Sequence, residues 1–242
     1  MKKSLGQHFL TNPRIHESIV AAADIKAGEC VVEIGPGSGL LTDHLLTAGA
    51  QVIAIEKDSQ FVIDLREKYR NNKNIEIIEA DVLTFKPSNL KQIKFKLVGN
   101  LPYYLTSHLL RVVLQTWPVT ECIVFMVQKE VAQRITAKSP NMNMLAVLVQ
   151  TYCDVKIISK VARGNFTPIP KVDSAIVKFI PKNERSAMSD RILEIASKGF
   201  KNPRKMLGNN LSKELLERAG IDPSRRAETL TIAEWQTLAS VI

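Results

Sequence analysis

The sequence predicts an α/β fold in which a doubly wound, mostly parallel sheet is followed by a small helical domain. Two patterns carry this prediction. Short apolar runs alternate with amphipathic segments through most of the chain, and the pattern becomes purely helical after residue 181. Strands that alternate with helices favour a parallel sheet with helices on its faces.

Each predicted strand is a short apolar run, as a strand buried in a parallel sheet requires. The strands are expected over residues 30–34, 51–55, 75–80, 95–98 and 122–127. Between them, helices are expected over residues 40–48, 61–69, 107–115 and 131–137. An earlier helix should begin near Asn12 and Pro13, because asparagine is a frequent N-cap and proline a frequent first helical residue.

The C-terminal part of the chain predicts a change of architecture. Residues 173–179 are rich in β-forming side chains and should join the sheet as an added strand. Pro181 and the polar stretch 182–189 then resemble a linker, and helices are expected over 191–198, 213–219 and 233–241. We therefore predict a first domain over residues 1–181 and a helical domain over residues 182–242.

The chain is basic, with 33 lysines and arginines against 24 aspartates and glutamates and a net charge of +9. The positive charge is distributed along the chain instead of being confined to one tail. Distributed positive charge favours a polyanionic partner, although a basic protein without such a partner fits the charge alone equally well. Three cations near the start of the last segment are candidates for contacts with phosphates: Lys201, Arg204 and Lys205.

Nothing in the sequence predicts a membrane protein, a secreted protein or a metal site. The N-terminus has no apolar run of signal-peptide length, and no stretch approaches the ~18 apolar residues of a membrane span. The three cysteines form no CxxC pair, and the four histidines have no metal-binding spacing. We expect a cytoplasmic protein without a metal.

A glycine-rich turn follows the first predicted strand of the sheet. Gly35, Gly37 and Gly39 are spaced G-x-G-x-G, and a helix is expected directly after them. Such a turn lets a ligand approach the backbone closely. A dinucleotide-binding turn is the sharpest competitor, but it requires G-x-G-x-x-G, and position 40 is Leu40.

Two acids follow the next strands and should share one rim with the turn. Glu56 ends the second strand and Asp81 follows the third, and ligands of open α/β sheets bind where parallel strands end. Together these features resemble the class I S-adenosylmethionine-dependent methyltransferases, whose fold is Rossmann-like. The resemblance implies that the glycines wrap the amino-acid part of the cofactor, that Glu56 holds the ribose, and that Asp81 with Val82 holds the adenine.

The predicted strand 95–98 leads into Asn100, Leu101, Pro102 and Tyr103. This segment resembles the N/D-x-P-aromatic motif of methyltransferases that act on exocyclic amino groups. The nitrogen of such a group is a poor nucleophile, because its lone pair is delocalised into the ring. An amide oxygen and a backbone carbonyl can hold its N–H groups, and the tyrosine ring can stack on the base.

A base must leave its stack to reach such a pocket, which calls for a second aromatic wall. Phe166 is the candidate, since it lies in the proline-bracketed segment 165–174. A core phenylalanine that anchors this loop is the alternative.

Taken together, these motifs are similar to those of the ribosomal RNA adenine N6-dimethyltransferases. The resemblance covers almost the whole chain, including segments 4–10, 166–174, 200–207 and 226–230. It implies dimethylation of two adjacent adenosines near the 3′ end of 16S ribosomal RNA, with S-adenosylmethionine as cofactor. It also implies that Gln7, His8, Leu10 and Asn100 join the cofactor site, although His8 and Tyr104 stand where asparagine is frequent.

The resemblance further implies a monomer that acts on ribosomal RNA within the small subunit or an assembly intermediate. Two other functions remain open, and an amino-methyltransferase that acts on DNA or on protein glutamine is a weaker alternative. A large-subunit 23S rRNA adenine N6-methyltransferase would share the cofactor and Asn100 motifs, but the segment 226–230 favours the small subunit. A non-catalytic RNA-binding assembly factor could also use this fold, although the intact Gly35, Glu56 and Asn100 argue against it.

Overall fold

In the computed structural model, a seven-stranded sheet has the order β4-β3-β2-β5-β6-β9-β7. The structure describes residues 9–87, 90, 94–102, 105–182 and 186–242. The strands are β1 Phe9–Leu10, β2 Cys30–Ile34, β3 Gln51–Glu56, β4 Ile75–Glu79, β5 Phe95–Asn100, β6 Cys122–Gln128, β7 Cys153–Val161, β8 Phe166–Thr167 and β9 Ser174–Pro181. The helices are α1 Pro13–Ala23, α2 Leu40–Thr47, α3 Ser59–Lys68, α4 Thr106–Thr116, α5 Lys129–Ile135, α6 Met144–Tyr152, α7 Ala187–Gly199, α8 Lys213–Arg218 and α9 Ile232–Ser240.

The strand order reverses at β2. This strand pairs in parallel with β3 on one side and with β5 on the other, and β4 and β6 extend the sheet in parallel beyond them. The chain therefore winds outward in both directions from the junction of β2 and β5. Ligands bind at such a switch point, outside the carboxyl ends of the strands.

The central strands are buried on both faces because helices cover the sheet on both sides. In β2, the consecutive residues Val31 and Val32 point to opposite faces and both are fully buried. Val31 belongs to a core cluster that includes Ile19 of α1 and Leu45 of α2. Since side chains alternate along a strand, Glu33 lies on the same face as Val31, beneath α2.

The added strand predicted near residue 173 is β9, and it pairs antiparallel with β6. Beyond it, β7 forms the edge of the sheet. A separate two-stranded sheet joins β1 to β8, with Leu10 opposite Phe166 and Phe9 opposite Thr167. This short pairing connects the start of the described chain to a segment more than 150 residues later. A hydrogen bond from Thr11 Oγ1 to the Asn165 carbonyl, between residues 154 positions apart, makes the same connection.

The chain divides into two compact units. The first comprises residues 1–132 and 156–181, and the second comprises residues 133–155 and 182–242. In the second unit α7 packs on α9 and α6 packs on α7, and the ring of Trp235 is fully buried. Arg225 forms an ion pair with Glu234 there, and α9 begins with a capping box between Thr231 and Glu234.

Most predicted elements are confirmed within a few residues, and the helix expected at Asn12 begins with that residue as its N-cap. Three differences stand out. The polar stretch expected as a linker is shorter, because α7 begins at Ala187 with Ser186 as its cap. The sequence pattern did not predict α6 and β7, nor the two-residue strands β1 and β8. The domain boundary expected after residue 181 stays a prediction.

Candidate active site

A cleft opens where β2, β3 and β5 end, at the switch point of the sheet. The side chains and backbone that line it come from these strand ends, from α1 and α2, and from the β1–β8 pair. Its lining residues are Phe9, Leu10, His16, Glu33, Gly35, Pro36, Gly37, Ser38, Leu40, Leu41, Glu56, Asn100, Leu101, Pro102 and Phe166. The cleft thus gathers the predicted glycine turn, one predicted acid and the predicted base-binding segment.

The glycine turn is shaped by backbone that other residues rarely adopt. Gly35 has φ +66° and Gly37 has φ +55°, values at which a side chain would be strained. The Gly35 N–H donates to the carbonyl oxygen of Ile55 (2.9 Å), which holds the turn against the end of β3. An added Cβ at Gly35 would meet no atom within 4 Å, so the backbone here faces open space.

Glu56 is the acid that the fold places in the cleft, and it is 7% exposed. One carboxylate oxygen accepts the backbone N–H groups of Lys57 (2.8 Å) and Asp58 (2.9 Å). The other accepts the Gly37 N–H at 3.1 Å. These bonds fix the carboxylate beside the glycine turn, and an ionised carboxylate with about four lone-pair sites can still accept from a ligand.

A second carboxyl group, Glu33, lines the floor of the cleft and was not among the predicted site residues. It is 1% exposed, and Thr42 of α2 donates its hydroxyl to it at 2.6 Å. Burial raises the pKa of Glu33 to about 8, so the group is protonated at neutral pH. An acid inside an apolar strand, immediately before a glycine turn, was the sequence signal for this position.

His16 of α1 is another unpredicted polar residue of the cleft. Its ring is 5.1 Å from the ring of His44, measured between centroids. Burial, followed by the neighbouring His44, lowers the pKa of His16 to about 4. The imidazole is therefore neutral at physiological pH.

The predicted base-binding segment lies at the end of β5. Asn100 is the last residue of this strand and is partly exposed to the cleft. The Leu101 N–H donates to the carbonyl of Met126 at 3.2 Å, which anchors the segment to β6. Phe166 lines the same cleft with its ring 2% exposed, packed in the core cluster that also holds Leu10.

Three predicted cofactor residues do not line this cleft. Asp81 follows β4, one strand further out, and its carboxylate lies 2.7 Å from the Lys57 ammonium. The Lys57 hydrogen bond lowers the pKa of Asp81, and the next residue, Val82, is buried. Gly39 faces α3 instead, where Tyr69 and Lys68 contact its carbonyl.

Gln7, His8 and Tyr103 lie outside the described residues. Among the residues that the structure describes, no group of three or more metal-binding side chains occurs.

The comparison that decides the family covers the full sequence. The family described as ribosomal RNA adenine dimethylase matches residues 1–242. This chain belongs to that family. Membership confirms the methyltransferase fold and the prediction of an enzyme that modifies ribosomal RNA.

Relatives and solved structures of this family are similar over nearly the whole chain. A ribosomal RNA small subunit methyltransferase A of Dehalococcoides mccartyi is 41% identical, over 98% of this chain and 87% of the relative. A dimethyladenosine transferase structure from Plasmodium falciparum has a TM-score of 0.80 and 28% identity, covering 96% of both chains. The 23S rRNA methyltransferase ErmE has a TM-score of 0.77 and 28% identity, covering 96% of this chain and 98% of that one.

The predicted phosphate contacts lie in the second unit. Lys201, Arg204 and Lys205 occupy the exposed loop that follows α7.

Across the described parts of the chain, no helix is long and apolar enough to cross a membrane.

Proposed function

We propose that this protein transfers methyl groups from S-adenosylmethionine to N6 of two adjacent adenosines near the 3′ end of 16S ribosomal RNA. The product is N6,N6-dimethyladenosine, formed during biogenesis of the small subunit. One observation carries the proposal: the glycine turn, Glu56 and the segment from Asn100 to Pro102 line a single cleft. The relative at 41% identity, which is named for the small subunit, supports the choice of substrate.

The residues of the cleft fit this cofactor. The open space above Gly35 would accommodate its amino-acid part, and the remaining acceptor site of Glu56 would accept a ribose hydroxyl. Asp81 would accept the adenine amino group at the outer end of the rim. When bound, S-adenosylmethionine supplies an electrophilic methyl group on a positively charged sulfur.

The end of β5 would hold the target base. The side-chain oxygen of Asn100 and the carbonyl of Leu101 are acceptors for the two N–H bonds of the adenine amino group, and Pro102 stiffens the turn that presents them. Tyr103 and Phe166 are proposed to bracket the ring. Because the proton can leave after methyl transfer, positioning and hydrogen bonding supply most of the rate enhancement.

The test is single-turnover methylation of small-subunit and large-subunit rRNA by the wild-type protein and by Asn100→Ala. We expect methylation of the small-subunit RNA. Asn100→Ala should be slower by about 100- to 1000-fold, as expected when a preorganised hydrogen-bonding partner is lost, while RNA retention on filters is unchanged. Asn71→Ala, at an exposed turn after α3, is the matched control and should react at the wild-type rate.

Three outcomes would contradict the proposal. Methylation confined to the large-subunit RNA would favour the function named for ErmE, the relative with 28% identity. An Asn100→Ala rate within a few-fold of wild type would remove this residue from the mechanism. Absence of methylation on any RNA would support a non-catalytic assembly factor.

We further propose that the protein acts as a monomer in the cytoplasm, on rRNA held in the small subunit or an assembly intermediate. The three exposed cations of the second unit would neutralise phosphates, which supply most of the affinity of a protein for RNA. Because these contacts are independent of the base in the cleft, binding and catalysis can be separated by mutation.

A further inference from the structure

The loop that follows Phe166 carries an exposed apolar side chain. Ile169 is 66% exposed, although Phe166 and Pro170 on either side of it are buried. A single exposed isoleucine is ordinary on a protein surface, and its significance here comes from its position.

Ile169 follows closely in the chain on residues that line the cleft or pair with its lining. Phe166 lines the cleft, and Thr167 is paired with Phe9, which lines it as well. Three residues of extended chain span at most about 11 Å, so the Ile169 backbone is no further than that from Phe166. The side chain is therefore within reach of an RNA strand whose adenosine enters the cleft.

The loop is anchored at both ends, so its tip cannot withdraw easily. The Arg163 N–H donates to the Asp173 carboxylate at 3.0 Å, and the Lys129 N–H donates to the Asp173 carbonyl at 3.0 Å. At the other end, the Asn165 carbonyl accepts the Thr11 N–H at 2.9 Å. An exposed apolar group on such a support is presented to a partner at little cost in conformational entropy.

The charges beside the tip favour an RNA partner. Lys171 is exposed two residues after Ile169. Arg163 is also exposed, and its guanidinium lies 3.4 Å from the Lys171 carbonyl. An apolar tip flanked by two cations matches a nucleic acid strand, whose bases offer apolar faces and whose phosphates are negative.

We propose that Ile169 is a wedge that enters the base stack of the RNA when the target adenosine moves into the cleft. Enzymes that modify a base extrude it from the stack, and apolar side chains of nucleic-acid-binding proteins insert between base steps. Ile169 fills the gap that the extruded adenosine leaves and so favours the extruded state. This inference rests on the proposed function, since it requires an adenosine as target.

The experiment compares Ile169→Ala with Ile63→Ala, a control at a residue of α3 that is 60% exposed. Two small-subunit rRNA substrates are used: a hairpin that stacks the target adenosines, and a short oligonucleotide of the same sequence without secondary structure. Single-turnover methylation is measured on both RNAs. Base extrusion is measured separately, as the fluorescence increase of a hairpin with 2-aminopurine at the target position.

We expect Ile169→Ala to slow methylation of the hairpin by about 10-fold or more, the order expected when two or three apolar carbons lose their burial. The fluorescence increase of the 2-aminopurine hairpin with Ile169→Ala should fall in parallel, and the rate of this variant on the unstructured RNA should stay within about 2-fold of wild type. The conservative variant Ile169→Leu should retain most activity. Ile63→Ala should match wild type throughout. An equal loss on both RNAs, or no loss on the hairpin, would overturn the wedge. If the wild-type protein methylates neither RNA, the same variants are compared on small ribosomal subunits, where Ile169→Ala should again be slower by about 10-fold or more and an unchanged rate would overturn the wedge. A wild-type protein that is inactive on subunits as well would instead overturn the proposed function, and the wedge with it.

Discussion

The backbone of the glycine turn makes a sharp prediction at Gly39, where α3 presses against it from outside the cleft. Gly39 has φ +80°, and an added Cβ would lie 2.7 Å from the Tyr69 hydroxyl and 2.9 Å from Leu65 Cδ2. The Lys68 ammonium would be 3.2 Å away. Gly39→Ala should therefore be destabilised by both backbone strain and a steric clash.

The chain offers a control that separates these two effects. Gly28 has φ +84°, nearly the same as Gly39, but an added Cβ there would meet no atom within 4 Å. Gly28→Ala should lose about 1–2 kcal/mol of unfolding free energy, the cost of a left-handed conformation for a residue with a Cβ. Gly39→Ala should lose a further 1–3 kcal/mol, roughly, from overpacking.

The assay is equilibrium unfolding in urea, followed by circular dichroism, for both variants. Both glycines belong to the first compact unit, so the difference between the two losses measures the clash. Adding Tyr69→Phe to Gly39→Ala removes the nearest clashing atom and should recover part of the loss, which a double-mutant cycle reports as coupling. Equal losses for Gly28→Ala and Gly39→Ala would refute the reasoning, because they would show that α3 gives way without resistance.

Three further predictions follow from charge. Replacing Lys201, Arg204 and Lys205 of the second unit with alanine should make the plot of log K for RNA binding against log salt concentration less steep by roughly 2 to 3, at about 0.7–0.9 per contact. An unchanged slope would contradict the assignment of these residues to phosphate contacts. The pKa of Glu33 is raised from 4.5 to about 8, so the folded state holds an extra proton between these pH values, and the free energy of unfolding falls as the pH rises through them. Glu33→Gln should make the melting temperature less dependent on pH across that window. An unaltered pH profile would show that Glu33 is not the source of the pH dependence. The guanidinium of Arg225 lowers the pKa of Glu234 to about 2, so the contribution of the ionised Glu234 to the free energy of unfolding is present above pH 4.5 and is lost as the pH falls toward 2. Glu234→Gln should therefore lower the free energy of unfolding at pH 7 by about 1–2 kcal/mol and should leave it unchanged at pH 2.

The central strands were predictable because each is an apolar run that ends at glycine or at a polar residue. By contrast, α6 was missed because its sequence, MLAVLVQTY, is apolar almost all round and has no polar face to reveal a helical period. It passes directly into β7, with Cys153 as both helix cap and first strand residue. No turn residue marks that junction, and only packing decides between helix and strand.

The residues of the candidate site also fall into those that the sequence predicts and those that it does not. The strand-end residues Glu56 and Asn100 were predictable, because parallel strands place their carboxyl ends on one rim. The cleft residues His16 and Glu33 were not, since one comes from a helix that carries no motif and the other lies within a strand. Their chemistry depends on burial, which shifts both pKa values and is a property of the packed fold.

The division of the chain into two units also constrains how the protein can be cut or recombined. The polypeptide passes from one unit to the other at residues 132, 155 and 181, so neither unit is a continuous segment. A fragment that ends at Pro181 would keep α6 but lose α7, on which α6 packs. Chimaeras between relatives should therefore exchange residues 133–155 together with 182–242, because a single crossover would pair a helix of one parent with the apolar surface of another.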